Sequence, residues 1–190
     1  MEAKNQLNNL PDEDLVKEIV KSNDTLLFEV LYDRFAFVVY NKCLGFSKDE
    51  DEAKDLAQDV FLKLFIKLSS FKGKSKFSTW LYAFTYNHCV NYVNRNVERK
   101  MKRQSVEIEQ VEDIADIDKE GEEFMEMRVE KLKEALDLIL PDEKMLLLMK
   151  YQDFMSIKEI GDLLDLGESA VKMRLKRAKD KLVEVYTEIS

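Results

Sequence analysis

Ser156-Ile157-Lys158-Glu159-Ile160-Gly161-Asp162-Leu163-Leu164-Asp165-Leu166-Gly167-Glu168-Ser169-Ala170-Val171-Lys172-Met173-Arg174-Leu175-Lys176-Arg177-Ala178-Lys179 is the stretch whose reading decides the fold. Ser156 followed by Glu159 is a capping box, in which the serine oxygen and the glutamate each satisfy a backbone N–H of the first helical turn. Ile160, Leu163 and Leu164 then recur at the spacing of one buried helical stripe. Asp165-Leu166-Gly167 reads as a tight turn, and Val171, Leu175 and Ala178 give the following helix its inner face. Two helices across a three-residue turn form a helix-turn-helix. Removing the inner face of the second helix leaves Glu168, Ser169, Lys172, Met173, Arg174, Lys176, Arg177 and Lys179 to face outward. A cationic, long-armed helix of this kind suits the major groove, with its early residues at base edges and its basic arms at phosphates. Lys172 and Arg174 are the candidates for base or phosphate contact, Arg177 and Lys179 for phosphate.

Upstream, Leu140-Pro141 restarts the chain after a helix carrying Val129, Leu132, Leu136 and Ile139, and Met145, Leu146, Leu148 and Met149 mark the next. Before these, residues 103–124 show no apolar period and gather Glu107, Glu109, Glu112, Asp113, Asp116, Asp118, Glu120, Glu122 and Glu123. That composition predicts an acidic, mobile linker. The reading divides the chain into a helical domain over 1–102, the linker over 103–124 and a helix-turn-helix domain over 125–190.

The first domain reads as four helices. Pro11-Asp12-Glu13-Asp14 opens one that runs to about Lys21, with acids at its positive end. Ser22-Asn23-Asp24 ends it and caps a second, in which Phe28, Leu31, Tyr32, Phe35 and Val39 form the predicted buried stripe up to Gly45. Ala53, Leu56, Ala57, Val60, Phe61, Leu64 and Leu68 define a third, ending at Ser69-Ser70. The basic loop Phe71-Lys72-Gly73-Lys74-Ser75-Lys76-Phe77 leads into a fourth, from about Ser78 to Arg99 and Lys100, with Trp80, Leu81 and Phe84 inward.

Composition agrees with an all-α class, because five glycines and two prolines in 190 residues leave few turn formers. The net charge of −8 hides its distribution. From Lys63 to Arg103 the chain carries Lys63, Lys67, Lys72, Lys74, Lys76, Arg95, Arg99, Lys100, Lys102 and Arg103 against Glu98 alone. A second basic block spans Lys172 to Lys181, so two cationic surfaces flank an anionic connector and nucleic acid stays in view as a partner. Cys43 and Cys89 lack a CxxC partner and His88 is the only histidine, so no metal or other cofactor is expected. No phosphate-cradling glycine loop, nucleophile signature or histidine pair is present, and no enzymatic activity or small-molecule substrate is expected. No apolar run nears the roughly 20 residues of a membrane span, so no membrane insertion is expected, and a reduced cytoplasmic protein is the plain reading.

Two segments together resemble the extracytoplasmic-function sigma factors of the sigma-70 family. Asp55-Leu56-Ala57-Gln58-Asp59-Val60-Phe61 is similar to that family's acidic "DLxQExF" helix, and Phe77-Ser78-Thr79-Trp80-Leu81 with Asn87 to its "F-T-W-L … N" helix. Leu140-Pro141, Ile160, Val171-Lys172, Arg174-Leu175 and Arg177-Ala178 are similar to its C-terminal "LP … EIA … VK-RL-RA" module. The resemblance implies a transcription-initiation subunit, associated with the nucleoid, whose partners are core RNA polymerase, promoter DNA and an anti-sigma factor. Its first module would bind polymerase and the −10 element, and its second would read the −35 element.

On those expectations, Asp55, Gln58, Asp59, Leu62 and Ile66 form a stripe for polymerase opposite the buried face, mixing acids with apolar anchors. The lysine loop and the aromatic helix after it would hold unpaired DNA, through Lys72, Lys74, Lys76, Phe77, Thr79, Trp80, Tyr82, Tyr86, Asn87 and Arg95. Within that set Trp80 reads as core, whereas Tyr82 and Tyr86 read as the exposed stacking faces. Tyr86, Asn91 and Asn94 stand where family members more often carry arginine, aspartate and arginine, which points to an altered −10 preference. Asp165 replaces a common glycine and Gly167 a serine cap, which predicts a less rigid turn. The rival readings are a helix-turn-helix regulator with an N-terminal sensing domain, against which the Asp55 to Trp80 pattern speaks, and an acidic helical adaptor.

Overall fold

The computed structural model describes residues 10–103 and 129–189. The acidic tract of the expected linker and the expected start of the second domain near Met125 lie outside those residues. Among the described residues every regular element is helical.

Helix α1 spans Asp12–Ser22. Its acids Asp12, Glu13 and Asp14 sit at the positive end of the helix dipole, and Leu15, Val16 and Ile19 are buried. It stops at Asn23, whose left-handed backbone (φ 54°) lets its N–H close on the Ile19 carbonyl. One residue on, the Asp24 carboxylate accepts the Leu26 N–H at 2.8 Å and starts α2, Thr25–Leu44. Asp49 repeats the device on the Glu52 N–H for α3, Glu50–Lys67, which ends in a 3₁₀ turn, Leu68–Ser70. Ala53, Leu56, Ala57, Val60, Phe61, Leu64 and Leu68 are all buried, as their period predicts, and α3 makes its main contact with α2. Tyr32 departs from the predicted α2 stripe: it is 43% exposed and leans its ring on Phe61 at 4.6 Å.

Helix α4 spans Phe77–Arg103. Its start is organised by rings, with Phe35 and Phe71 edge-on to Phe77 and Trp80 stacked on Phe84 at 5.4 Å.

The second module contains α5 (Val129–Leu138), α6 (Pro141–Leu147), a π-type turn (Leu148–Gln152), α7 (Ile157–Leu164) and α8 (Glu168–Glu188). Pro141 opens α6, and Glu143 accepts the Leu140 N–H at 3.1 Å. Helix α8 is the spine. Val171, Leu175, Ala178, Leu182 and Val185 form one buried line that packs on α5, α6 and α7.

The two modules are not separate beads on a tether. Helix α6 lies against α4, and side chains cross between them. This contact was not visible in the sequence, because nothing local in either segment encodes it.

Candidate polymerase and nucleic-acid surfaces

Three surfaces carry the chemistry. On α3, burying one face leaves Asp55, Gln58, Asp59, Leu62 and Ile66 on the other, and all five are exposed. Leu62 is 67% and Ile66 73% exposed, among the largest apolar exposures in the first module. Neither touches a neighbouring helix in a way that hides it, so apolar area ready for desolvation stands beside carboxylates. At the edge of the stripe His88 of α4 places Nε2 3.9 Å from Asp59 and Nδ1 3.2 Å from the Lys63 ammonium. Burial, followed by the Lys63 charge, pushes the imidazole pKa below its ordinary value, so His88 is neutral near pH 7 and the stripe keeps its acidity.

The second surface is the loop and the face of α4 that follows. Lys72, Lys74 and Lys76 are exposed, and Gly73 takes φ 67°, a conformation that favours glycine. A groove of about 580 Å³ beside the loop is lined by Val20, Lys21, Phe71, Lys72 and Gly73, among others. Arg95 is exposed, and Thr79, Tyr82 and Asn87 are half-buried. Trp80 is also half-buried, packed against Phe71 and Phe77 in the ring cluster.

Three residues of the predicted set are placed differently, the first being Tyr82, which was expected to be an exposed stacking face and is half-buried with the Lys42 ammonium 4.2 Å from its ring centre. Phe77 is wholly buried, because its ring closes the core between Phe35 and Phe71 while its N–H is held by Glu13. Tyr86, expected to be an exposed stacking face, is likewise wholly buried, because Lys42 and Phe46 of its own module and Gln152 of the second close over it. Its hydroxyl accepts from the Lys42 ammonium at 3.0 Å and donates toward Gln152 at 3.4 Å. Burial, reinforced by the Asp153 charge, pushes the phenol far above its ordinary pKa.

Lys42 itself escaped the sequence reading. It lies in phase with Phe35 and Val39 on the buried stripe of α2, and that phase was the available signal. Its ammonium meets Asp153 of the second module at 2.5 Å and stands over the rings of Tyr82 and Tyr86 at 4.2 and 4.6 Å. Desolvation lowers its pKa, and the Asp153 carboxylate pulls the other way. Nearby, Lys144 of α6 donates to the Gly45 carbonyl and to Asp137 and faces the Phe46 ring. Cys43 and Cys89, both buried, face each other under this contact.

The third surface is the helix-turn-helix. Ser156 and Glu159 make the expected capping box: the Glu159 N–H donates to the serine oxygen at 3.2 Å, and the Ser156 N–H to the carboxylate at 2.8 Å. The Ser156 hydroxyl and N–H hold the Glu159 carboxyl below its ordinary pKa. In the turn, Asp165 takes the left-handed conformation (φ 55°) and closes on the Gly161 carbonyl, and Gly167 caps α8 without a side chain. Glu168, Ser169, Lys172, Met173, Arg174, Lys176 and Arg177 are exposed along α8. Lys179, expected outward, is half-buried, because it lies next to the Ala178 and Leu182 line. Gly161 was also missed: a Cβ there would stand 2.6 Å from the Leu166 carbonyl oxygen, so the turn folds back through the space a side chain would fill.

Among the described residues no cluster of three metal-ligating side chains occurs, and no helix is long and apolar enough to cross a membrane.

Comparison with known proteins matches residues 31–99 to the family model of sigma-70 region 2 and residues 129–182 to that of sigma-70 region 4. The chain is 30% identical over 172 residues to the RNA polymerase sigma factor YlaC of Bacillus subtilis, covering 88% of this chain and 95% of that one. It is 25% identical over 169 residues to the ECF RNA polymerase sigma factor SigW of the same organism, covering 86% and 90%. In fold it is similar to the sigma factor RpoE of Bartonella quintana, solved in complex with the anti-sigma factor NepR, with a TM-score of 0.60, 20% identity, and 84% and 96% of the two chains covered.

Proposed function

Because the chain belongs to the sigma-70 family, as an RNA polymerase sigma factor of the extracytoplasmic-function type serving promoter-specific transcription initiation, we propose that its two modules divide that work between three surfaces. The α3 stripe of Asp55, Gln58, Asp59, Leu62 and Ile66 docks core polymerase. The apolar pair supplies the gain from desolvation, and the carboxylates set orientation and partner choice. The lysine loop and α4 take the −10 strand as it unpairs, with Lys72, Lys74 and Lys76 tracking phosphates. The exposed early residues of α8, Lys172 and Arg174 foremost, enter the major groove at the −35 element, and Arg177 grips its backbone.

Melting needs no chemistry from this chain. Capture of unpaired bases offsets the few kcal/mol of unstacking, so the protein acts as a binding subunit and not as an enzyme, and works at the nucleoid. An anti-sigma factor is its expected regulator, as one accompanies the Bartonella quintana protein.

The observation that carries this reading is the pairing of an exposed acidic and apolar stripe on α3 with an exposed cationic helix-turn-helix on the same chain. The test is transcription in vitro by core polymerase on a library of genomic fragments. Initiation at defined start sites should appear only when the chain is added, and unchanged start-site selection would overturn the proposal.

A further inference from the structure

The contact between the modules holds a buried pair that the three surfaces do not use, Lys42 and Asp153, beside Tyr82 and Tyr86 of the α4 face. Lys42 is a single cation set between two aromatic faces, Tyr82 and Tyr86, at 4.2 and 4.6 Å. Its counter-ion, Asp153, comes from the other module across 111 residues of chain. Both side chains are more than nine-tenths buried, at 4% and 7% exposure. Yet only Oδ1 of the carboxylate is satisfied, since Oδ2 is buried without a hydrogen-bond partner.

A buried ion pair with an orphaned oxygen is a poor adhesive, because desolvation of the charges and of the unpaired atom consumes most of the attraction. It is well suited to exchange. A cation flanked by tyrosine faces is the chemistry that holds one nucleotide of a single strand, the ammonium meeting phosphate and a ring meeting the base. Its two rings lie on the same α4 helix as Thr79, Asn87 and Arg95, its cation reaches them from α2, and the side chains that close it, Gln152 and Asp153, belong to the second module.

We infer that Lys42, Tyr82 and Tyr86 form a binding site for one nucleotide of unpaired DNA, and that Asp153 fills the phosphate position when no strand is present. The inference rests on the reading of the first module as the strand-binding one and adds a site to it. The carboxylate is tethered, so its effective concentration is high and a short strand competes poorly. A strand held elsewhere on the promoter competes on equal terms, and winning the site separates the modules.

The test uses the full chain and a fluorescein-labelled oligothymidylate of about twelve nucleotides, a length that spans the α4 face and carries no promoter sequence. Asp153→Asn should enlarge the chain in small-angle scattering and tighten binding of the oligonucleotide by at least about fivefold, the lower bound for one stacked base. It should change the affinity for a duplex of equal length much less. Adding Lys42→Gln to Asp153→Asn should remove the gain. A chain that stays compact, an equal gain on duplex, or a gain that survives loss of Lys42 each overturns the inference.

Hydrogen exchange on the unmodified protein guards against a variant that fails to fold. With the oligonucleotide raised far above its dissociation constant for the Asp153→Asn chain, enough to outcompete the tethered carboxylate, the amides of Met149 to Met155 should lose protection, and unchanged protection there overturns the inference as well. None of these measurements involves polymerase. Start-site selection that succeeds while they fail sinks this site alone, whereas failed initiation sinks the broader proposal.

Discussion

The backbone N–H of Phe77 donates to the carboxylate of Glu13 at 2.8 Å, so helix α1 supplies the cap of a helix that begins 64 residues later. The bond ties α1 to the base of the lysine loop, and it holds the Glu13 carboxyl below its ordinary pKa of 4.5. Removing a helix cap typically costs about 1 kcal/mol. Glu13→Ala should therefore lower the urea unfolding free energy by about that amount at pH 7. On acidification the unfolded chain takes up the proton first, so this stability is complete above pH 4.5 and fades as pH falls toward the lowered value. The difference between parent and variant should shrink accordingly, and a difference that grows in acid would refute the capping role.

Leu62 and Ile66 lie on a face that folding does not use. Leu62→Ala should shift the thermal midpoint little, in keeping with surface substitutions worth about 0.5 kcal/mol or less. The same change should weaken core polymerase binding roughly tenfold, the loss expected of an interface anchor. Reversing Asp55 and Asp59 to lysine should do the same while leaving duplex binding through α8 intact. Joint loss of both activities would indicate a misfolded chain. Fluorescence titration of core polymerase reads the first property and anisotropy on a promoter duplex the second.

Gly161 packs its α-carbon against the turn, where an added Cβ would meet the Leu166 carbonyl oxygen at 2.6 Å. Backbone cannot swing aside as a side chain does, so Gly161→Ala should destabilise the second module by about 1–3 kcal/mol. Calorimetry should show the loss. Gly167, with open space around its α-carbon, should accept alanine without a comparable clash.

Arg174 and Arg177 both project from α8 into solvent. If Arg177 meets phosphate, Arg177→Ala should weaken binding to all duplexes alike and reduce the slope of log affinity against log salt by about 1. Arg174→Ala, at the reading end, should cost about 1–3 kcal/mol on the promoter duplex and less on a scrambled one. Equal losses on both duplexes would demote Arg174 to a backbone contact.

The α3 stripe and the capping box of α7 could be read from the chain because both are local. Leu56, Val60 and Leu64 declare a period, and Ser156 and Glu159 lie within one turn. Tyr86 could not be read in this way. Its own helix leaves it eligible for solvent, and the groups that cover it, Lys42, Phe46 and Gln152, all come from elsewhere in the chain. Lys42 gave a partial signal, a charge in phase with Phe35 and Val39, without naming the Asp153 that satisfies it. Gly161 gave no local signal, since the Leu166 carbonyl that takes the space of a side chain comes from the far side of a turn.

Helix α8 joins two tasks in one rod. Its first turns carry Glu168, Ser169, Lys172 and Met173, while Leu182 and Val185 near its far end are sunk in the module's core. A helix of 21 residues is about 32 Å long. A tilt of about five degrees pivoting on the far end moves the reading end by roughly 3 Å, close to the ~3.4 Å between neighbouring base pairs. Because Val171 and Leu175 bury the reading end as Leu182 and Val185 bury the far one, such a tilt is resisted along the whole rod, and the core that grips it also holds the register of the residues that face the bases.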